Sequence, residues 1–285
     1  MTKPPRSGFA AHCLAPVTGG AAYLKNDTFI LGLGTNRVSA ISPTSSGNSE
    51  DLFCGFADAL SSVSASVDGA TWTGTSLAGE VAMNGQVQWR FPNQIATSSA
   101  TFGGDCFVGM EFDYVRHLRG DFAEELWKSR TKITVADLAL IDQELLVSVG
   151  CGGLHLHDLR IKSAASVVKL AGRDLLCVSA MNYTLAVGDD GGGLALLDSR
   201  KLSNAVVQEF QLESSPTQRS VTETCFCTSS QLFVGTVSGG LVTIDVDQCL
   251  VVRQELGHPV AGLCCSPEGY LLVARDDGFV QLQQV

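Results

Sequence analysis

TLAVGDDGGGLALLD, residues 184–198, reads as two apolar runs joined by a tight turn. The first run ends in a small residue, Gly188, and the second opens six positions later with Leu194. The arrangement recurs as FILGLGTNRVSAI (29–41), TWTGTSLAGEVAM (71–83), CFVGMEFDYVRHL (106–118), LLVSVGCGGLHLHD (145–158), LFVGTVSGGLVTID (232–245) and LLVARDDGFVQLQ (271–283). The small residue and its partner are Gly32/Val38, Gly74/Val81, Gly109/Val115, Ser148/Leu154, Gly188/Leu194, Gly235/Leu241 and Ala274/Val280. Successive partners lie 43, 34, 39, 40, 47 and 39 residues apart. A strand–turn–strand unit repeating about every 40 residues marks a β-propeller blade. The expected fold is all-β, a seven-bladed propeller.

Seven such units consume the chain. Residues 1–285 are expected to form one domain, with hairpins near 28–42, 70–84, 105–119, 144–158, 183–198, 231–245 and 270–285. These hairpins are the second and third strands, b and c, of four-stranded meanders running outward from the axis. Their turns carry glycine in every unit except the third, where Glu111-Phe112-Asp113 stands. Candidates for the inner strand a are Ser62–Val67, 134–141, 175–180, 221–228 and Val260–Cys265. Candidates for the outer strand d are 52–56, 87–91, 167–170, 206–210 and 251–256. The inner strands read as mostly apolar and rich in small residues, as a strand covered on both faces requires.

After Phe279–Val285 nothing remains to supply the outer strand of the seventh blade. An unpaired edge there would leave the ring open. GFAAHCLAP, residues 8–16, is the expected closing strand.

Composition narrows the functional classes. The net charge is −10, which disfavours binding to nucleic acid or anionic membranes, since both rely on Lys and Arg. Basic proteins suit such a chain better. No apolar run approaches ~18 residues and MTKPPRSGFAAHC lacks an apolar signal core, so a cytoplasmic or nuclear setting is expected. Most of the ten cysteines fall in strand segments (Cys106, Cys177, Cys225, Cys227, Cys264, Cys265) and read as small buried hydrophobes with free thiols. Cys225-Phe226-Cys227 and Cys264-Cys265 lack zinc-site spacing along the chain.

The unit LGHPVAGLCCSPEGYLLVARDDGFVQL, residues 256–282, resembles a WD40 repeat: Gly257-His258 opens it, Ser266-Pro267 follows its first strand, and Asp277-Gly278 precedes Val280 and Leu282. Units four to six close on His157-Asp158, Leu197-Asp198 and Ile244-Asp245, similar to the family's Trp-Asp with Trp replaced. The resemblance spans essentially the whole chain and implies a WD40-type propeller. No unit keeps the Trp and only the seventh keeps Gly-His, so the family's buried His–Ser/Thr–Asp–Trp network is expected to be mostly absent, with apolar packing in its place. His258 is expected to satisfy a structural hydrogen bond. A narrower resemblance, carried by Val187–Asp198, is to methylosome-type WD-repeat subunits.

No nucleophile elbow, zincin or phosphate-loop motif is present. Asp189–Gly193 (DDGGG) reads as a strand turn. His155 and His157 share one face of a strand and are expected to pack between blades. Trp72 and Trp89 read as packing residues. Arg116, Arg119, Trp127, Lys128, Arg130 and Lys132 form a basic group placed at the end of strand c of blade three and in the stretch leading to blade four. With Trp127 it is a candidate contact for a protein partner. Arg160 and Arg200 each follow an Asp by two positions. By resemblance, such endings occur in substrate receptors of cullin-RING ubiquitin ligases. Pro43–Asp51 and Lys201–Arg219 read as surface loops.

The expected function is a non-catalytic scaffold or adaptor in a multiprotein complex, one that could present a basic substrate to a partner enzyme. Its partners would be other protein subunits, with no cofactor, metal, membrane, nucleic acid or small-molecule substrate. Two alternatives remain: a cullin-RING substrate receptor, and a propeller hydrolase with an axial metal or carboxylate site. Asp137 and Glu223 are the acidic exceptions on the inner strands.

Overall fold

A computed structural model describes residues 9–12, 15–26, 28–42, 49–112, 114–120, 122–128, 134–151, 153–160, 166–170, 173–201, 205–212 and 220–285. Its described residues form 28 strands and no helix, in seven antiparallel four-stranded sheets. After β1 (Phe9–His12), the first blade holds β2 (Val17–Tyr23), β3 (Phe29–Leu33), β4 (Arg37–Ile41) and β5 (Glu50–Phe53). The second holds β6 (Leu60–Ala65), β7 (Trp72–Ser76), β8 (Glu80–Met83) and β9 (Gln86–Arg90). In the third are β10 (Ala96–Phe102), β11 (Asp105–Met110), β12 (Tyr114–Arg119) and β13 (Phe122–Lys128). The fourth comprises β14 (Val135–Leu140), β15 (Leu145–Gly150), β16 (Gly153–Asp158) and β17 (Ser166–Val168). The fifth comprises β18 (Leu175–Met181), β19 (Thr184–Asp189), β20 (Gly193–Asp198) and β21 (Val206–Gln211). The sixth comprises β22 (Val221–Phe226), β23 (Gln231–Thr236), β24 (Gly240–Asp245) and β25 (Leu250–Glu255). The seventh joins β26 (Val260–Cys265), β27 (Tyr270–Arg275) and β28 (Phe279–Gln284) to β1.

The first and last segments close the ring, as the sequence implied. β1 pairs antiparallel with β28, Phe9 opposite Leu282 and His12 opposite Phe279. Pro16 follows with its carbonyl accepting from Gly34 N–H at 2.9 Å, which leads the chain into the first blade.

The repeated small residue has a structural cause. Five of the sequence pairs are direct cross-strand partners: Gly32/Val38, Gly109/Val115, Gly188/Leu194, Gly235/Leu241 and Ala274/Val280. In blades two and four the register is one residue off the sequence reading. Thr75 faces Val81 and Gly74 faces Ala82, while Val149 faces Leu154 and Ser148 faces His155. At this position the next blade arrives. A Cβ on Gly109 would lie 2.6 Å from Val135 Cγ1, on Gly188 2.4 Å from Val221 Cγ1, and on Gly235 2.5 Å from Val260 Cγ1.

Val135, Val221 and Val260 are each the first residue of the following blade's inner strand. With Val17, Leu60, Ala96 and Leu175 they make seven buried anchors, none more than 3% exposed. Directly after the anchor, every inner strand carries a register shift against its neighbour in the blade. Such a bulge bends the strand and leaves its extra residue unpaired. In three blades that residue is a threonine that latches the next blade: Thr18 donates to Leu60 O (3.0 Å), Thr97 to Val135 O (2.5 Å) and Thr222 to Val260 O (2.7 Å).

The core therefore lies between blades. Each of seven apolar layers draws residues from two neighbouring sheets; Phe29 and Leu31 of blade one, for example, pack with Leu272 and Val280 of blade seven. Apolar packing is not the whole account, however. The inner strands of blades one to three are rich in Ser, Thr and Gly, and β2 and β10 had no counterpart among the sequence candidates. Between blades two and three Ser64 Oγ meets Ser99 Oγ (3.0 Å) and Thr101 Oγ1 (2.7 Å), and Thr101 donates to Thr73 (2.9 Å). Hydroxyls here supply polar pairing where the WD40 network is missing.

Since the last strand of the ring comes from the N-terminus, a chain starting at residue 17 should unfold as a weakened whole. Its melting temperature is expected to fall by many degrees with loss of cooperativity; an unchanged melt would refute closure by β1.

Candidate functional site: the axial channel

The inner strands β2, β6, β10, β14, β18, β22 and β26 touch one another in sequence around the axis, the last returning to the first. They enclose two spaces of opposite character. The face that carries the a–b and c–d connections opens into a cavity of about 820 Å³. Its wall is mostly apolar and includes Tyr23, Val67, Phe102, Ile141, Met181 and Phe226. Val67 stands at its rim, 91% exposed. Toward the other face lies a polar space of about 280 Å³, lined by Thr18, Ser62, Thr97, Asp137, Thr222 and Glu223 among others.

Among the described residues no Lys, Arg or His lines this polar space, so its two carboxyls have no counter-charge there. Asp137 accepts from Leu138 N–H at 2.8 Å and, across the blade boundary, from Val178 N–H at 2.8 Å. Burial in the ring nonetheless pushes its carboxyl up to about 7, the two N–H donors opposing. Glu223 is driven well above the ordinary carboxylate range by burial and then by the charge of Asp137. Both side chains touch the lumen but are walled in by protein. Burial, and for Glu223 the charge of Asp137, thus favour the protonated forms, in the manner of like charges sharing a site.

The other candidates serve the fold. Asp189, 3% exposed, accepts from Gly191 N–H (2.8 Å) and Gly193 N–H (2.7 Å), so the DDGGG stretch is a capped strand turn. His157 is buried with Nε2 2.8 Å from Ser148 Oγ, and burial lowers its pKa to about 3. His155 stacks on it at 6.5 Å, and its pKa is lowered by burial too. Trp72 and Trp89 are core residues. His258 lies 3.6 Å from both Asp276 and Asp277. These three could jointly hold a metal ion, but Asp277 is already tied to Arg275.

The basic group is dispersed. Arg116 lies in strand c over the Phe91 ring at 4.7 Å, and Arg119 is exposed near Asp105 at 3.4 Å. Trp127 and Lys128 fall in β13, the outer strand of blade three, rather than in a linker to blade four. Arg130 and Lys132 lie outside the described residues. Arg160 and Arg200 fold back bidentately on their own Asp158 and Asp198. These guanidiniums hold both carboxyls below the usual range, Asp158 at about 2. Arg160 also pairs with Glu144 (2.9 Å), and Arg200 covers the Tyr183 ring. Arg119 ends strand c of blade three, and Arg160 and Arg200 sit two residues beyond strand c of blades four and five, on the same face as the apolar mouth.

One grouping was invisible along the chain. β22 and β26 are neighbours, which brings Cys225-Phe226-Cys227 beside Cys264-Cys265. Cys265 is the side-chain partner of both Cys225 and Cys227. The two segments meet in space, yet among the described residues it is His258, Asp276 and Asp277, and not these cysteines, that converge closely enough to hold a metal ion.

The chain is similar in shape to solved propellers. It superposes on a chain of a crystal structure of the mitotic checkpoint complex with a TM-score of 0.81 at 14% identity, over 100% of this chain and 95% of that one. The fold is that of a WD40 propeller. The WD40 β-propeller domain of Doa1 gives a TM-score of 0.80 at 9% identity, over 96% and 95% of the two chains. No family model and no curated protein matches the sequence. The likeness is one of ring geometry, at 14% and 9% identity.

The raised pKa of Asp137 has a definite sign. The folded chain binds more protons than the unfolded one between the ordinary carboxylate value of about 4 and about 7, so stability falls as pH rises through that window. Asp137→Asn should flatten this decline in melts taken from pH 4 to 8. A slope unchanged by the substitution would show that Asp137 ionises normally.

Proposed function

We propose that the protein is a non-catalytic interaction scaffold, a subunit of a multiprotein complex that binds a basic, apolar-anchored segment of another protein. The observation that carries this is the apolar mouth of about 820 Å³ set above an uncompensated carboxyl pair. A cleft with apolar walls and few convergent polar groups is the usual form of a binding site. The net charge of −10 and the absence of a lining cation favour a basic occupant.

The alternatives draw less support. A cullin-RING receptor would offer Arg160 and Arg200 to an adaptor, yet both are engaged by their own aspartates. An axial hydrolase would rely on Asp137 and Glu223, but among the described residues no histidine or third carboxylate joins them in the polar space. Methylosome-type membership would make the basic segment an arginine-rich substrate. It rests on Val187–Asp198, which here is an ordinary strand–turn–strand unit.

Affinity purification of the tagged chain with mass spectrometry tests the proposal. A stoichiometric co-purifying protein is expected, and Val67→Glu, at an exposed rim position, should lose it without lowering the melting temperature. A chain that purifies alone, or a partner indifferent to Val67→Glu, would contradict the mouth as the binding site.

A further inference from the structure

Three thiols share the boundary between blades six and seven. Cys225 and Cys227 are two apart, on β22 and immediately after it, and so point to the same side. Cys265, the last residue of β26, faces them: all three pack on the apolar layer that contains Phe233, Leu241, Val260 and Leu263. Cys264 points the other way, into the layer between blades seven and one. Cys227 and Cys265 also line the apolar mouth, so a small solute entering the channel reaches them. Cys54, Cys151 and Cys249 are exposed elsewhere and have no cysteine partner among the described residues.

We propose that Cys265, with Cys227 and Cys225, is a hydroperoxide-oxidisable dithiol site that cross-links blades six and seven through a reversible disulfide. The partner relation is built in. The Cys265 thiol pairs with the sulfurs of both neighbours, and its backbone N–H also points at Cys225. A disulfide requires sulfurs about 2.05 Å apart, so closing it takes a shift on the order of 2 Å from thiol contact. The Cys265 thiol and N–H favour the Cys225 thiolate against burial, while the Cys265 proton is held more tightly than usual.

The chemistry balances without a metal or cofactor. Burial raises the pKa of the Cys227 thiol, so its minor thiolate form attacks the distal oxygen of a hydroperoxide entering the mouth; the S–O bond forms, the O–O bond breaks, and the alkoxide takes up the proton the thiol released and leaves as alcohol or water. The Cys265 sulfur then attacks the sulfenic acid, forming S–S and breaking S–O; the departing hydroxide takes the Cys265 proton and leaves as water. Two thiols and one hydroperoxide give one disulfide, one alcohol or water, and one water. Cys225 can replace Cys227 by thiolate attack on the Cys265 sulfur, with the Cys227 thiolate leaving. A surface thiol without a resolving partner would instead proceed to higher oxides.

The test is peptide mapping of the full chain under non-reducing conditions after brief treatment with hydrogen peroxide. The expected product is a peptide pair joined through Cys265 to Cys227 or Cys225, two hydrogens lighter than the separate peptides and released by a phosphine reductant. Cys265→Ala should abolish the cross-link, whereas Cys151→Ala should leave it intact. Should Cys265→Ala fail to fold, a Cys225→Ala and Cys227→Ala double variant serves, since Cys265 then has no resolving partner. Oxidation confined to Cys54, Cys151 and Cys249, or a cross-link that survives either variant, would overturn the proposal.

Discussion

Every blade must leave room for the next. In blades three, five and six that constraint falls on one backbone position, the place in the second strand where the following blade's anchor residue arrives. At Gly109, Gly188 and Gly235 even a methyl group would collide with Val135, Val221 or Val260. Interiors are packed too densely to absorb such a clash without moving a strand. Because the core is seven layers between sheets rather than one layer within each, displacing one strand loosens two blades at once. The bulge after each anchor, and the threonine latches at Thr18, Thr97 and Thr222, hold the inner strands at the tilt this approach requires. Closure by β1 spares the seventh blade an unpaired edge.

This explains what the sequence disclosed. A residue without a Cβ, a tight turn and an aliphatic partner are local features, so the hairpins and their count could be read directly. The one-residue errors in blades two and four arose where Thr75 and Val149 occupy the position filled by glycine in four other blades. β2 and β10 escaped notice because Ser, Thr and Gly do not announce a buried strand; the hydroxyls of Thr18, Thr97, Ser99 and Thr101 are paired by neighbouring blades that only the fold supplies. β13 was hidden for another reason. Phe122-Ala123-Glu124-Glu125-Leu126-Trp127-Lys128 is an outer strand whose first residues are exposed, and it lacks the apolar alternation of a half-buried one.

The candidate site was legible only in fragments. Asp137 and Glu223 stood out as acidic residues on inner strands, but their shared lumen and mutual repulsion depend on the ring. Arg160 and Arg200 looked like exposed contact residues, yet each closes on the aspartate two positions before it. The cysteines gave no signal by spacing, because the two pairs meet across a blade boundary some 40 residues apart in the chain. The ring thus places a wide apolar mouth, a carboxyl pair and a thiol group around one axis.

The central claim is that the small residue and the next blade's anchor form one steric unit. A double-mutant cycle at Gly235 and Val260 measures it most directly, since the atoms a Cβ at Gly235 would crowd most closely all belong to Val260. Gly235→Ala and Val260→Gly should each destabilise the chain, while the double variant should be more stable than their sum by at least about 1 kcal/mol. Effects that add to within about 0.5 kcal/mol would contradict the account.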